Sequence, residues 1–175
     1  MLKSLLAAAV LAFTAMPAAA EVIERSADHF VLRYEVGLET TPEDLYHAIG
    51  EVGRWWDSAH TYSGDAANLT LPLQVGACFC ERLADGTVFE HGRVTAADPE
   101  TGVLLDAPLG PLKGKTTRAD LGIGWSPANA GWTLVMTYVV RGTGVGAWAD
   151  GVDAVMGGQF SRFSHFVEYG EAPTA

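Results

Sequence analysis

The alternation of apolar and polar residues along the chain predicts where its strands lie. Between Phe30 and Leu38 every second residue is apolar, which is the two-residue period of a half-buried strand. The same period returns from about residue 76 and predicts further strands, which lie near residues 76–83, 87–97, 102–107, 114–126 and 131–141. Turn-forming Gly and Pro residues separate these segments. The central part of the chain is therefore predicted to be an antiparallel meander.

Two other stretches have the longer period of an amphipathic helix. Residues 41–44 are a Thr-Pro pair followed by two acidic residues, which is a helix start, and apolar residues follow at helical spacing up to residue 56. Two glycines interrupt this segment, so any helix here is predicted to be short. Near the C-terminus, apolar residues recur every three or four positions from Trp148 to Phe166. This stripe predicts one long helix over residues 147–169.

The first twenty residues have a pattern of their own. Lys3 precedes a short apolar run, and the segment closes on three alanines that end at Ala20. These features are typical of a secretory signal peptide, and the run is too short to favour a permanent membrane anchor. We therefore expect residues 1–20 to be a signal peptide cleaved after Ala20 and residues 21–175 to form a single domain. The protein is then expected to be periplasmic or secreted, with no membrane span after cleavage.

The charge of the chain excludes several classes of partner. Lys and Arg total 11 against 21 Asp and Glu, which gives a formal net charge of −10 at pH 7. No basic run interrupts this acidity. Nucleic acids and anionic lipid surfaces are therefore not expected partners.

The order of four segments resembles a known superfamily. "TPEDLYHAIGEVGRWWD" corresponds to a first helix that ends in a Trp pair, and "VGACFCERLADGTVFEHGRV" corresponds to a Gly-led strand and hairpin. "GWTLVMTYVV" corresponds to the last strand, and "GGQFSRFSHFVE" to the end of a long helix. Over residues 28–169 this order resembles the START/SRPBCC superfamily, in particular its bacterial Hsp90-ATPase-activator-homologue and polyketide-cyclase-like branch.

The resemblance implies a fold and a general function. The implied fold is the α+β helix-grip, in which a curved antiparallel sheet wraps around a long C-terminal helix, with two short helices near the N-terminus. An apolar cavity is expected between the sheet and the helix. The leading function is therefore binding of a small hydrophobic ligand such as a lipid, an isoprenoid or a polyketide-like ring system, without catalysis. An exported protein would not meet cytosolic Hsp90, so that partner is not expected.

Candidate ligand-binding residues are the large side chains on the predicted inner faces and the polar groups near the Trp pair. Trp56 continues the apolar stripe of the first helix and is assigned to the core, whereas Trp55 is off the stripe and is assigned to the cavity mouth. The alternative is that Trp55, His60 and Tyr62 only cap or connect the core. The full candidate set is Trp55, His60, Tyr62, Trp125, Trp132, Met136, Tyr138, Met156, Phe160 and Phe163.

Three polar residues are candidates for acid–base chemistry. Strand parity places Glu90 on one face with Val88, Gly92 and Val94, and the resemblance implies that this is the inner face. Parity in the neighbouring strand similarly turns Phe79 and Glu81 inward. A carboxylate in an apolar cavity can act as a general acid or base, and His91 is adjacent. Glu90, His91 and Glu81 are thus the candidate catalytic residues if the protein is a cyclase- or hydrolase-like enzyme. The alternative for each Glu is a solvated position, and a third function is an interaction module of the cell envelope.

The two cysteines could form a disulfide or contribute to a metal site. Cys78 and Cys80 are expected roughly 6.5–7 Å apart between Cα atoms in a regular strand, so two free thiols are favoured over a strained local disulfide. His60 and His91 could join them as zinc ligands, but the Cys-x-Cys spacing is poor for a tetrahedral site. A metal is therefore not expected. A nucleotide cofactor is not expected either, because the phosphate-loop-like "GPLKGKT" and "GTGVGA" lack the required structural context.

Overall fold

The structure, a computed structural model, describes residues 21–173. The predicted signal peptide lies outside the described residues. Eight strands form one antiparallel sheet in the spatial order β1-β2-β8-β7-β6-β5-β4-β3. They are β1 (Glu21–Ser26), β2 (His29–Leu38), β3 (Leu69–Thr70), β4 (Cys78–Arg82), β5 (Val88–Asp98), β6 (Gly102–Asp106), β7 (Arg118–Pro127) and β8 (Trp132–Arg141).

Three α-helices accompany the sheet: α1 (Pro42–Gly50), α2 (Val52–Trp55) and α3 (Ala149–Tyr169). α1 begins as its sequence predicts, since the side chain of Thr41 accepts the N–H of Asp44 at 3.1 Å and Pro42 occupies the first turn. A 3₁₀ turn, Val145–Trp148, leads into α3. Of the helices in residues 21–173, none has both the length and the apolar character needed to cross a bilayer.

The core lies where α3 crosses the inner face of the curved sheet. Alternate residues of β2, β7 and β8 are buried, as their two-residue period predicts. The ring of Tyr34 on β2 stacks on Phe160 of α3 with 5.6 Å between centroids. The Tyr34 hydroxyl also donates to Oδ1 of Asp153 at 2.7 Å, which ties the first half of α3 to the sheet. The predicted helix-grip architecture with two short N-terminal helices is confirmed.

One predicted strand is shorter than expected, and two strands of the sheet were not predicted. The strand predicted over residues 114–126 begins only at Arg118, because Gly110–Leu112 form a 3₁₀ turn and the chain turns again before the strand. β1 and β3 were not predicted. β3 is two residues long, and a period of two cannot be recognised in two residues.

A β-bulge changes which side chains of β5 point inward. Phe79 pairs with Gly92 and Cys80 pairs with Glu90, so His91 is the extra residue. Because the bulge reverses parity, His91 is buried, whereas the side chain of Glu90 is 42% exposed and pairs with Arg93. The shared inner face predicted for residues 88–94 is therefore wrong for its first two members, Val88 and Glu90, although Gly92 and Val94 are buried.

The same irregularity explains a second correction. Cys78 and Cys80 form a disulfide, whereas free thiols were favoured from the sequence. Their Cα atoms are 5.3 Å apart, well inside the usual range for a bridge. The bulge lies opposite this point of β4, between Phe79 and Cys80, so the pairing here is not that of a regular strand. The prediction that β4 turns Phe79 and Glu81 inward is correct.

Candidate ligand-binding cleft

A cleft of about 560 Å³ opens between the first half of α3, the loop of residues 57–65 and the turn of residues 109–111. We name it the α3 cleft. Its volume lies within the range of small-molecule sites. Its lining residues are Trp56, His60, Thr61, Tyr62, His91, Leu109, Gly110, Pro111, Trp148, Gly151, Val152, Val155 and Met156.

One wall of the α3 cleft is apolar and belongs mainly to the helix. Val152, Val155 and Met156 lie one helical turn or less apart on α3 and face the cleft. Trp148 stands at its edge and is 42% exposed. Gly151 also lines the cleft, and a Cβ atom built there would meet no atom within 4 Å. The absence of a side chain at Gly151 therefore contributes directly to the open volume.

The opposite wall carries the polar groups. His60, Thr61 and Tyr62 come from the 57–65 loop, and His91 comes from the bulge of β5. The ring of Tyr62 is 55% exposed and lies 4.4 Å from the ring of Phe89, between centroids. The cleft thus combines an apolar helix face with a polar wall, which is the usual composition of a small-molecule site.

Behind the polar wall is a buried carboxylate–imidazole pair. Nε2 of His91 lies 2.8 Å from Oε2 of Glu81, and Glu81 has no exposed surface. The Glu81 carboxylate also accepts the backbone N–H of Tyr62 at 3.1 Å and the backbone N–H of Ser63. One carboxylate therefore positions both the imidazole and the 57–65 loop.

The electrostatics of the pair favour a charged Glu81 and a neutral His91. Burial raises the pKa of Glu81, but the hydrogen bonds from Ser63, Tyr62 and His91 outweigh it and leave that pKa below its ordinary value. Burial lowers the pKa of His91. The Glu81 carboxylate opposes this effect and Lys113 adds to it, so the net pKa of His91 is also lowered.

The protonation of the pair fixes the tautomer of His91. A carboxylate can only accept, so the imidazole hydrogen lies on Nε2 and Nδ1 is a hydrogen-bond acceptor. Within residues 21–173, the hydrogen bond of the His91 ring is the one at Nε2, and Nδ1 is not among the fully buried atoms that lack a partner. The rings of Tyr62 and Phe79 lie close to parallel with the imidazole, at 29° and 31°. The ring is thus held on its faces and at Nε2, which leaves Nδ1 as its free polar atom.

Both rims of the cleft are fixed by hydrogen bonds from buried side chains. Oε1 of Gln159 on α3 accepts the N–H of Asp57 at 2.9 Å, where the 57–65 loop begins. On the opposite side, the Tyr138 hydroxyl donates to the carbonyl of Ala107 at 2.6 Å and accepts the N–H of Leu109 at 3.1 Å. These hydrogen bonds therefore fix the positions of both rims of the cleft.

No family model and no curated protein matches this sequence, but solved structures share its fold. An uncharacterised protein of Rhizobium leguminosarum has a TM-score of 0.58 at 17% identity, covering 82% of this chain and 97% of its own. DynU16, from the dynemicin biosynthetic locus, has a TM-score of 0.57 at 16% identity, covering 81% of this chain and 48% of its own. StfQ, a di-domain ARO/CYC from the steffimycin biosynthetic pathway, has a TM-score of 0.54 at 13% identity, covering 82% of this chain and 52% of its own.

This chain has the helix-grip fold. The fold that the resemblance implied is therefore confirmed, and at these identities the fold is what the likeness establishes. This chain spans about half the length of DynU16 and of StfQ.

In this helix-grip protein, some of the predicted site residues meet at the cleft and others form the core. His60, Tyr62 and Met156 line the α3 cleft, together with His91. The remaining predicted ligand-binding residues are, among the residues that the structure describes, outside the cleft lining. They are Trp55, Trp125, Trp132, Met136, Tyr138, Phe160 and Phe163.

The prediction is wrong for Trp55 and correct for Trp56, which is buried in the core and also borders the cleft. Trp55 is buried, its ring lies 4.8 Å from that of Phe163, and its Nε1 donates to the carbonyl of Ala48 at 2.9 Å. Trp56 lines the cleft. Trp55 was assigned to the cavity mouth because it lies off the apolar stripe that Trp56 continues. The helix in fact breaks at Glu51 between α1 and α2, which changes the direction of every side chain after it.

The structure also adds residues and removes others. Leu109 and Pro111 line the cleft from a turn, where no periodic pattern could have indicated them. Trp148 and Val152 were on the predicted apolar stripe, but the stripe contains both core residues and cleft residues and cannot distinguish them. Glu90, a predicted catalytic candidate, lies outside the cleft lining of the described chain for the reason given above. The disulfide between Cys78 and Cys80 removes the thiolates of the zinc set that was weighed.

Proposed function

We propose that this protein binds a small hydrophobic or amphipathic molecule in the α3 cleft. The observation that carries the proposal is the cleft itself: about 560 Å³ between an apolar face of α3 and a wall with three convergent polar side chains, His60, Tyr62 and His91. Burial of apolar ligand surface would supply most of the affinity, at about 25 cal/mol per Å² before the costs of association. The polar wall would orient the ligand.

A matched pair of glycine substitutions tests this proposal. Gly151→Leu places a side chain in the cleft, whereas Gly158→Leu adds the same side chain to the same helix outside the cleft lining. A Cβ atom meets nothing within 4 Å at either position, and leucine favours a helix more than glycine does by about 1 kcal/mol. Both variants are therefore expected to fold.

The readout is the fluorescence of N-phenyl-1-naphthylamine, a neutral apolar probe. Gly151→Leu is expected to weaken its binding by roughly tenfold or more, which is about 1.4 kcal/mol, whereas Gly158→Leu should bind as the unsubstituted protein does. Equal weakening in both variants, or no binding by the unsubstituted protein, would contradict the proposal.

A second candidate function is acid–base catalysis in the same cleft. The observation that favours it is the Glu81–His91 pair, since a neutral imidazole held by a buried carboxylate is an arrangement suited to a general base. The fold likeness to StfQ, a di-domain ARO/CYC, is consistent with cyclase-like chemistry. The test is turnover of aromatic or polyketide-like substrates. Activity should be lost in Glu81→Gln and His91→Phe and retained in Glu90→Gln.

We also propose that the protein is exported. The signal-peptide pattern of residues 1–20 supports this, and so does the Cys78–Cys80 disulfide, because disulfides persist in oxidising compartments. The mass of the protein recovered from the periplasm or medium of its host tests the proposal. A mature form that begins at Glu21 is expected, and a full-length chain confined to the cytoplasm would contradict it.

A further inference from the structure

We propose that the α3 cleft selects a ligand with an acidic hydroxyl group, a phenol or an enol, and that this hydroxyl donates its hydrogen to Nδ1 of His91. This inference rests on the proposed function, because it names the chemistry of the molecule that the cleft would bind. It does not require the ligand to be converted.

The hydrogen bond to Glu81 fixes the tautomer of His91. Glu81 accepts from Nε2 of His91 at 2.8 Å while its carboxylate also accepts two backbone N–H groups, so three hydrogen bonds hold it in place. A rotated ring, or the tautomer with its hydrogen on Nδ1, would leave that buried carboxylate short of a donor, which is unfavourable. Nδ1 therefore presents a lone pair, and its complement is a donor.

The second step is the contrast between this acceptor and its surroundings. His91 lines the cleft but is only 6% exposed, and apolar rings contact it, namely those of Phe79 and Phe89. Nδ1 can be hydrated in the empty cleft. A bulky apolar ligand would displace that water and leave Nδ1 unsatisfied unless the ligand itself carries a donor. The cleft thus penalises a ligand without a donor at this position.

The third step concerns charge, which distinguishes an acidic hydroxyl from an ordinary alcohol. Nζ of Lys113 lies 4.2 Å from the centre of the Phe89 ring, and Nζ of Lys115 lies 5.9 Å from the centre of the Trp148 ring. Lys115 therefore stands beside a residue of the cleft lining, and Lys113 beside a ring that contacts His91, in a chain whose net charge is −10. They would stabilise negative charge that develops on a phenol or enol oxygen as it donates.

The proton balance at the site is simple. In the limit of full transfer, the O–H bond of the ligand breaks, an N–H bond forms at Nδ1, and the electron pair stays on the ligand oxygen. The products are an oxyanion and an imidazolium that is paired with the Glu81 carboxylate. No oxidant, reductant or other reactant takes part.

The experiment compares 2-naphthol with 2-methoxynaphthalene, which differ in the donor hydrogen. Their affinities are measured at one pH by displacement of bound N-phenyl-1-naphthylamine. The unsubstituted protein is expected to prefer 2-naphthol by roughly tenfold. In His91→Phe, which keeps a ring but removes the acceptor, the ratio should fall to about one. His47→Gln, which changes an exposed histidine outside the cleft lining, should keep the preference.

A measurement on the unsubstituted protein makes the test independent of how His91→Phe folds. In ¹⁵N NMR of the imidazole, Nδ1 of His91 should shift when 2-naphthol binds and stay in place when 2-methoxynaphthalene binds. Equal affinity for the two compounds, or an unmoved Nδ1 resonance with 2-naphthol bound, overturns the inference while the proposed function stands. If N-phenyl-1-naphthylamine does not bind at all, both fail.

Discussion

The two halves of α3 face different interiors, although they belong to one helix. The second half places Gln159, Phe160 and Phe163 against the sheet, and all three are buried. The first half places Gly151 and Val152 beside the cleft. Larger side chains fill the space in one half and smaller ones leave it open in the other. The size of the side chains on this helix therefore decides where the molecule is a core and where it can be a site.

The two interiors also differ in how they use polar groups. In the packed half, Trp55 donates to a backbone carbonyl within the same segment and serves packing. At the cleft, the Glu81–His91 pair organises a loop and leaves Nδ1 free. Stability should therefore depend mainly on the packed half, and ligand binding on the open half.

Truncation in the packed half should have the largest effect on stability. Trp55→Ala is expected to lower the free energy of unfolding by about 3–5 kcal/mol, because it opens a cavity against Phe163 and removes a buried hydrogen bond. Urea unfolding measures the change. A loss below about 1 kcal/mol would mean that Trp55 is not a core residue.

The buried pair should matter more for stability than an exposed pair of the same type. Glu81→Gln is expected to lower the free energy of unfolding by about 2–3 kcal/mol, since the charged acceptor of three hydrogen bonds is lost. Glu90→Gln, which weakens the exposed pair with Arg93, should cost less than about 1 kcal/mol. Equal losses in urea unfolding would show that the Glu81–His91 pair is not buried in solution.

Acid should destabilise the protein in two stages. The folded pKa of His91 lies below its ordinary value of 6.5, so stability falls as the pH drops through 6.5 and the unfolded chain takes up a proton. The folded pKa of Glu81 lies below its ordinary value of 4.5, so its contribution is present above 4.5 and is lost as the pH falls from there.

Urea midpoints measured between about pH 8 and pH 3 should show both stages. His91→Phe is expected to remove the upper stage and Glu81→Gln the lower one. His47→Gln is the control, because His47 is an exposed histidine whose replacement should leave the curve unchanged. An upper stage that persists in His91→Phe would assign it to another group.

Truncation at the cleft edge should have the smallest effect on stability. Trp148 is 42% exposed, so Trp148→Ala is expected to change the free energy of unfolding by about 0.5 kcal/mol or less. Its affinity for N-phenyl-1-naphthylamine should nevertheless fall, because the ring forms part of the apolar edge. A large loss of stability with unchanged affinity would show that Trp148 belongs to the core and not to the cleft.

The architecture could be predicted because most strands and the long helix have regular hydrophobic periods in the sequence. The alternating strands β2, β5 and β8 and the stripe of α3 were recognisable, and so was the start of α1 at Thr41. His60, Tyr62 and Met156 were also found, because polar and aromatic residues after a Trp pair, and a stripe residue of the long helix, are visible without coordinates.

The failures share one physical cause, which is a local break in a repeating pattern. A break at Glu51 placed Trp55 in the core, and an extra residue at His91 turned Glu90 outward and His91 inward. Parity and helical phase can be extended only while the backbone stays regular. Gly50 and Gly53 indicated a short first helix but not the residue at which it breaks, and the alternation in β5 did not indicate its bulge.

The bulge in β5 has a consequence for how this protein is aligned with others. A gap-free alignment of β5 with a regular strand of a relative would match that strand's inward residue to Glu90 and its outward residue to His91. The cavity would then be described as containing a carboxylate where this chain has an imidazole. Residue-by-residue transfer of a site therefore needs a one-position gap at His91, and conservation scores computed without that gap would average two unrelated environments.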